Sequence, residues 1–270
     1  MTPPPGASDK EFPYWLAAAV VIAIGLGLVI AANAIYAQVF RTVAKGIGIT
    51  LFVTVVGFAL ASSLGLLLAV MGLSRSKVLR QTSRFYVEII RGVPILVMLF
   101  YIAFVGAPAF VAAWNFVTTP LQQAGIFGPM GVRDFSLLWR AIIALTIGYS
   151  AFLSEVFRAG ILAVDKGQIE AAKALGLSGW PRFRLVVFPQ AIKTILPPLG
   201  NDFIAMVKDS SLVSVLGVAD ITQMGKVYAS GSFRFFETYS IVAYIYLVMT
   251  VGLSLALRGL EKRLRQSEQR

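Results

Sequence analysis

The sequence predicts an all-α polytopic membrane protein with about six transmembrane helices and a two-helix coupling loop on its cytoplasmic side. Apolar residues make up 57% of the 270 residues and charged residues only 14%, against roughly 25% charged residues in an average soluble domain. Uncharged runs recur along the chain at lengths near the ~20 residues that a helix needs to cross a bilayer. A chain of this composition cannot cover itself with polar surface, so we expect it to lie in a membrane.

The composition also excludes several kinds of site. The chain has no Cys and no His, which rules out disulfides, zinc sites built from these residues, a Cys nucleophile and a Ser-His-Asp triad. We therefore expect no catalytic residues and no metal site. The net charge of +11 is explained first by basic cytoplasmic loops, so we expect membrane lipid and not nucleic acid as a partner.

The amino-terminal residues divide into a tail and a helix. Residues 1–14 contain three consecutive prolines, and we predict that they form a disordered cytoplasmic tail. The uncharged run 15–35 has 21 residues, longer than the ~7–15 residues of a signal-peptide core. We predict that 15–36 is an additional N-terminal transmembrane helix that the mature protein retains.

Five further segments are predicted to cross the membrane. Their approximate bounds are 48–73, 93–114, 135–158, 192–218 and 239–257. In the fifth of the six spans, Pro197, Pro198 and Gly200 are expected to break the helix. Residues 261–270 are predicted to form a basic cytoplasmic tail.

Loop charge sets the predicted orientation. If both termini lie on one side, the segments on that side contain 13 Lys and Arg residues and those on the other side contain 5. Because cytoplasmic loops accumulate Lys and Arg, we predict that both termini are cytoplasmic.

The loop 159–190 is the most informative cytoplasmic segment. Residues 168–175 have helix-forming composition, and Gly176 suits the turn at a helix C-terminus. Ser178 can cap a second short helix, which Pro189 is expected to end. From spacing alone, an ordinary solvated loop with two helical turns explains these residues equally well.

This loop resembles the EAA loop of ATP-binding-cassette importer permeases. The residues that carry the resemblance are Glu170, Ala171, Ala172, Gly176, Val186, Phe188 and Pro189. Val186 and Phe188 replace the usual Ile and Leu, which keeps both positions apolar. Further segments, in the same order, are similar to permeases for polar amino acids: 91–100, 151–155, 158–161, 199–203 and 208–214.

The resemblance covers residues 46–260, which it identifies as an importer permease domain, and it implies a multi-pass protein of a prokaryotic cell (inner) membrane. It implies three kinds of partner: a second permease chain, identical or related, a dimer of cytoplasmic ATPase subunits, and an extracytoplasmic solute-binding protein that delivers an amino-acid substrate. ATP and Mg are expected on the ATPase, which docks against the EAA loop. Consistently, the nearest approach to a phosphate-binding Gly-x4-Gly-Lys-[Ser/Thr] motif is Gly225-Lys226, where Asp220 and Val227 break the pattern.

Polar residues in the interrupted span are candidates for the substrate pathway, because ionisable groups inside a membrane face protein or water. These candidates are Asn201, Asp202, Lys208 and Ser210. Asp202 could bind the ammonium group of an amino acid. The alternative is that Asp202 and Lys208 are held in structural ion pairs.

Two charged pairs near the cytoplasmic ends of spans are candidates for gating or structural roles. Glu88 and Arg91, and likewise Glu155 and Arg158, are three residues apart and can pair on a helix.

An ion-coupled secondary amino-acid transporter or channel is the alternative function, since intramembrane charges fit both classes. The EAA-type loop favours the ATP-driven importer, because a self-sufficient carrier needs no dock for an ATPase.

Overall fold

The computed structural model describes residues 14–266, with side chains for 17–261, and the described chain is helical throughout apart from short connections. The predicted tail 1–14 lies outside the described residues except for Tyr14, and the predicted tail 261–270 lies outside them after Gln266. The helices are α1 Tyr14–Ala32, α2 Ala34–Val43, α3 Ile47–Leu73, α4 Lys77–Arg91, α5 Ile95–Tyr101, α6 Ala107–Gln123, α7 Leu137–Leu162, α8 Lys166–Ala174, α9 Gly179–Arg182, α10 Phe188–Asp209, α11 Ile221–Ser232 and α12 Phe235–Gln266.

The predicted all-α membrane class is confirmed, although the span count rests on two less typical helices. In the described residues, four helical segments are long and apolar enough to cross a membrane: Ala34–Leu73, Ile95–Gln123, Leu137–Leu162 and Phe235–Glu261. The first predicted span is α1, whose apolar part Ala17–Ala32 is shorter. The fifth is α10, which contains three prolines and several charged residues.

The predicted helix 15–36 is interrupted at Asn33. The side-chain oxygen of Asn33 accepts hydrogen bonds from the backbone N–H groups of Ile35, at 2.9 Å, and Tyr36, at 3.4 Å. This is N-cap geometry, so Asn33 ends α1 and begins α2. Most of α1 is exposed within the chain, and it is tied to α12 by the Tyr244 hydroxyl, which donates to the Ala23 carbonyl at 3.2 Å.

The core lies between α3 and α7, which pack closely along much of their length. Small residues allow this approach: a Cβ atom at Gly65 would lie 3.0 Å from the Leu153 Cβ atom and 3.0 Å from the Ser150 carbonyl oxygen. Leu99, Leu145 and Leu153 are fully buried in this core. Helix α7 is therefore the central element, and residues along it are positioned by contacts on several sides.

The predicted break at Pro197, Pro198 and Gly200 is wrong. Helix α10 continues through all three residues and ends at Asp209. Membrane helices tolerate proline because neighbouring groups and local adjustments satisfy the backbone. The helical path changes later, in the 3₁₀ turn Ser210–Leu216, and ends at Gly217, whose φ of 83° lies in the left-handed region.

A buried polar network joins α11 to α3 and α12. Asp220 caps α11: its carboxylate accepts from the N–H groups of Gln223, at 2.8 Å, and Thr222, at 3.2 Å. The Tyr246 hydroxyl donates to the same carboxylate at 3.2 Å, and the Ile221 N–H donates to the Thr50 hydroxyl at 3.2 Å. Burial raises the pKa of the Asp220 carboxyl, and these hydrogen bonds oppose that shift.

The predicted orientation can be measured with reporter fusions. We expect a fusion at Gly128, between α6 and α7, to report an extracytoplasmic location and a fusion at Gly179 to report a cytoplasmic one. Alkaline phosphatase and green fluorescent protein give complementary signals at each site. A cytoplasmic signal at Gly128 would invert every later span and contradict the orientation.

Candidate functional site

The loop after α7 contains the two predicted short helices, α8 and α9, joined at Gly176. Asp165 caps α8, because its carboxylate accepts from the N–H groups of Gly167, at 2.7 Å, and Gln168, at 3.3 Å. At the other end, Gly176 has a φ of 77°, and its N–H donates to the Lys173 carbonyl at 2.9 Å. The next N–H, of Leu177, donates to the Ala172 carbonyl at 3.0 Å. These bonds form a Schellman motif, which requires the left-handed residue that glycine supplies.

The loop exposes large apolar side chains on its surface. Of the three predicted motif residues in α8, Ala172 is buried against the protein, whereas Glu170 and Ala171 are exposed. Leu175 is 81% exposed and Trp180 is 69% exposed. Large apolar side chains that remain exposed at a loop tip indicate a protein-binding surface.

The predicted role of Pro189 as the end of the second helix is wrong. Helix α9 continues through the π-helical turn Phe183–Val187 directly into α10. Pro189 lies in the first turn of α10. Proline suits this place because the first N–H groups of a helix need no intrahelical partner.

The structure brings two acidic residues of α10 close to a tyrosine of α7. The Tyr149 hydroxyl donates to the Asp209 carboxylate at 2.7 Å. Asp202 is half-buried and close enough to interact electrostatically with the same hydroxyl. Within the described residues neither Asp202 nor Lys208 forms a salt bridge, so the structural ion-pair alternative has no partner there.

The other two pathway candidates have different environments. Asn201 is exposed beside Asp202. Ser210 is fully buried, and its hydroxyl donates to the Val207 carbonyl at 2.7 Å. The contact of Ser210 with a pathway stays a prediction, and its hydroxyl hydrogen is used to close the end of α10.

All four charged residues of the predicted gating pairs line one polar cavity of about 510 Å³ between α4 and the ends of α3 and α7. The pair Glu155–Arg158 is confirmed, with 2.6 Å between Glu155 Oε2 and Arg158 Nη2. The predicted ion pair between Glu88 and Arg91 is wrong, because these residues form no salt bridge with each other. The Arg91 guanidinium lies 5.6 Å from the centre of the Phe152 ring instead, and this cation–π contact competes with a weak exposed ion pair.

The sequence matches, over residues 61–266, the family described as binding-protein-dependent transport system inner membrane component. The chain belongs to this family. It is 36% identical to the probable amino-acid permease protein YxeN of Bacillus subtilis over 80% of this chain and 88% of that protein. It is 34% identical to the glutamine transport system permease protein GlnP of Escherichia coli over 82% of this chain and 92% of that protein.

A solved structure, described as an amino acid ABC transporter with histidines, has the same fold as this family member. The two chains superpose with a TM-score of 0.69 and share 37% identity over 87% of this chain and 98% of the other. The described residues of this family member contain no group of three or more acidic side chains that could hold a metal ion.

Sequence reasoning missed Tyr149 and Asp209 as neighbours of Asp202. Tyr149 carries no charge and lies in a different span, and Asp209 lies beyond the break that was expected at Pro197, Pro198 and Gly200. A continuous α10 would have revealed the relationship, because Asp202 and Asp209 are seven residues apart and so share a helix face.

Proposed function

We propose that this chain is the transmembrane subunit of an ATP-driven importer that carries polar or charged amino acids across the inner membrane. The observation that carries the proposal is membership in a binding-protein-dependent transport family, together with relatives named as amino-acid and glutamine permeases. A binding-protein-dependent system does not need an ion gradient, so this observation disfavours the ion-coupled carrier or channel.

The loop around Gly176 is the proposed dock for a cytoplasmic ATPase dimer. Exposed Leu175 and Trp180 supply apolar contact area, and Glu170 and Lys173 supply charges at its rim. Aromatic and aliphatic anchors surrounded by polar residues are typical of protein interfaces. ATP and Mg bind the ATPase, and a second permease chain and an extracytoplasmic solute-binding protein complete the proposed importer.

The proposed substrate contact is Asp202, supported by Asn201 and by the nearby Tyr149–Asp209 pair. A half-buried carboxylate that lacks an ion-pair partner among the described residues can accept the ammonium group of an amino acid. The Tyr149 hydroxyl holds Asp209 at 2.7 Å, which fixes a second negative group on the same side of α10. Two carboxylates on the same side of α10 favour a cationic group of the substrate over an anionic one.

Reconstitution tests the proposed function. The permease, its ATPase and its solute-binding protein are placed in liposomes, and uptake of radiolabelled glutamine, arginine, histidine and glutamate is measured. We expect uptake of at least one of them to require internal ATP and the binding protein. Uptake that persists without ATP and follows an ion gradient would contradict the proposal.

Asp202→Asn tests the substrate contact. We expect normal assembly and basal ATP hydrolysis with a KM for uptake raised about 10-fold or more, because a hydrogen bond to a charged group contributes ~1.5–3 kcal/mol. Asp134→Asn, which removes a charge from the loop between α6 and α7, is the matched control and should leave KM unchanged.

Two other results for Asp202→Asn would point elsewhere. An unchanged KM and rate would exclude Asp202 from the substrate site. Poor assembly with loss of basal ATP hydrolysis would show that Asp202 pairs with a group of another subunit.

A further inference from the structure

Helix α4 occupies an unusual place between two membrane spans. The span Ala34–Leu73 ends three residues before α4 begins, and the span Ile95–Gln123 begins three residues after α4 ends at Arg91. The start of α4 is therefore close to the membrane face at which α3 ends. Its later residues lie further along α7, because the Tyr86 hydroxyl donates to the Ile147 carbonyl at 3.2 Å and the Arg91 guanidinium lies over the Phe152 ring. The Ser83 hydroxyl donates to the Leu68 carbonyl at 2.7 Å, which holds the middle of α4 beside α3, only about 7–8 Å from the end of that helix at 1.5 Å per residue.

The side chains of α4 form three distinct strips. One strip, which includes Ser83 and Val87, is buried against α3 and α7. A second strip, the apolar face, consists of Val78, Phe85 and Ile89, which are 73%, 70% and 52% exposed. Their spacing of seven and four residues places them on one side of the helix. The apolar face is uncovered by any described part of the chain.

The third strip is basic and lies beside the start of the helix. Its members, which we call the basic edge, are Arg75, Lys77, Arg80 and Arg84. Arg84 also lines the polar cavity that contains Glu88 and Glu155. Within the described residues none of them forms a salt bridge. The acidic residue of α4, Glu88, lies one turn beyond the basic edge. Cations without a salt bridge at the start of α4, with an exposed apolar face further along it, match an anionic phospholipid. Its phosphate lies at the membrane surface and its two acyl chains lie below.

We infer that α4 is an interfacial helix that binds anionic phospholipid of the adjoining leaflet. Acyl chains cover Val78, Phe85 and Ile89, and the headgroup phosphate contacts the basic edge. A second protein surface fits the apolar face but leaves the basic edge without counter-charge. The inference does not depend on the transported substrate.

The test measures lipid affinity of the detergent-purified complex by native mass spectrometry, with phosphatidylglycerol and phosphatidylcholine as probes. The double variant Arg75→Gln and Lys77→Gln should bind phosphatidylglycerol about 25-fold more weakly, at about fivefold for each basic residue near an anionic headgroup. Phosphatidylcholine binding should not change. The matched control, Arg133→Gln with Lys226→Gln, removes two exposed charges elsewhere and should retain phosphatidylglycerol affinity.

Phe85→Gln tests the apolar face separately. We expect it to lower the affinity for both phospholipids without changing the number of subunits in the complex. The inference is overturned if the Arg75 and Lys77 double variant binds phosphatidylglycerol as the wild type does. It is also overturned if Phe85→Gln removes a subunit from the complex and leaves lipid binding intact, since the apolar face would then be a protein interface.

Discussion

Gly176→Asp is expected to abolish ATP-coupled uptake while the protein still inserts into the membrane in wild-type amounts. Gly176 has a φ of 77°, and a Cβ atom there would meet nothing within 4 Å in the described chain. The fold itself therefore has room for a side chain, at a backbone strain of about 1 kcal/mol. We expect the substitution to weaken binding of the ATPase, because the new carboxylate lies beside the exposed Leu175 and Trp180 surface. A loss of ~3 kcal/mol in docking, the cost of burying an unpaired charge, lowers the affinity for the ATPase by more than about 100-fold.

Gly125→Asp is the matched control for this experiment. Gly125 has a φ of 73° and equally open surroundings, but it lies after α6, far from the loop in sequence. Both variants carry the same backbone strain, so only Gly176→Asp should reduce co-purification of the ATPase and ATP-dependent uptake. Equal uptake by the two variants, with the complex intact, would rule out docking at Gly176.

Gly46→Ala is expected to prevent stable folding. A Cβ atom on Gly46 would overlap the Asp220 carbonyl carbon and the Ile221 nitrogen. These are backbone atoms held by the Asp220 network, so they cannot move aside as a flexible side chain could. Overpacking typically costs ~1–3 kcal/mol and more where the backbone must shift. We expect a strongly lowered Tm in detergent and a lower yield of monodisperse protein.

Gly48→Ala shows whether this effect comes from the contact with Asp220. Gly48 lies two residues further along, in α3, and nothing lies within 4 Å of a Cβ atom there. Alanine is favoured over glycine inside a helix by up to ~1 kcal/mol, so the Tm of Gly48→Ala should equal or exceed that of the wild type. If Gly46→Ala and Gly48→Ala have the same Tm, the contact with Asp220 does not limit stability, and α3 and α11 can move apart without a loss of folding free energy.

The sequence predicted the fold best where one physical rule acted alone. Apolar runs located the helices because the bilayer sets their length, and Gly176 marked a helix end because few other residues adopt its backbone conformation. Three of the errors in helix bounds came from proline. Pro189, Pro197 and Pro198 were expected to end helices, but proline in a first turn costs little, and in a membrane helix its neighbours compensate for the missing N–H.

The candidate site was predictable only as separate residues. Asp202 was found because a charge inside a span is costly, and Glu155 was found because Arg158 follows it at helical spacing. Their neighbours depend on how α4, α7 and α10 pack, which the pattern along one helix does not encode. The contact of Arg91 with Phe152 and the hydrogen bond from Tyr149 to Asp209 are both of this kind.

Helix α9, the π turn Phe183–Val187 and α10 form one uninterrupted rod from Gly179 to Asp209. The proposed dock lies at one end of this rod and Asp202 lies near the other. The π turn has wider, poorer hydrogen-bond geometry than the helices on either side, so a hinge in this rod is expected there. About 25 Å of helix separates that turn from Asp202, so a tilt of about 10° there would swing Asp202 by ~4 Å. A small movement of the loop can therefore displace Asp202, although Asp202 does not contact the ATPase.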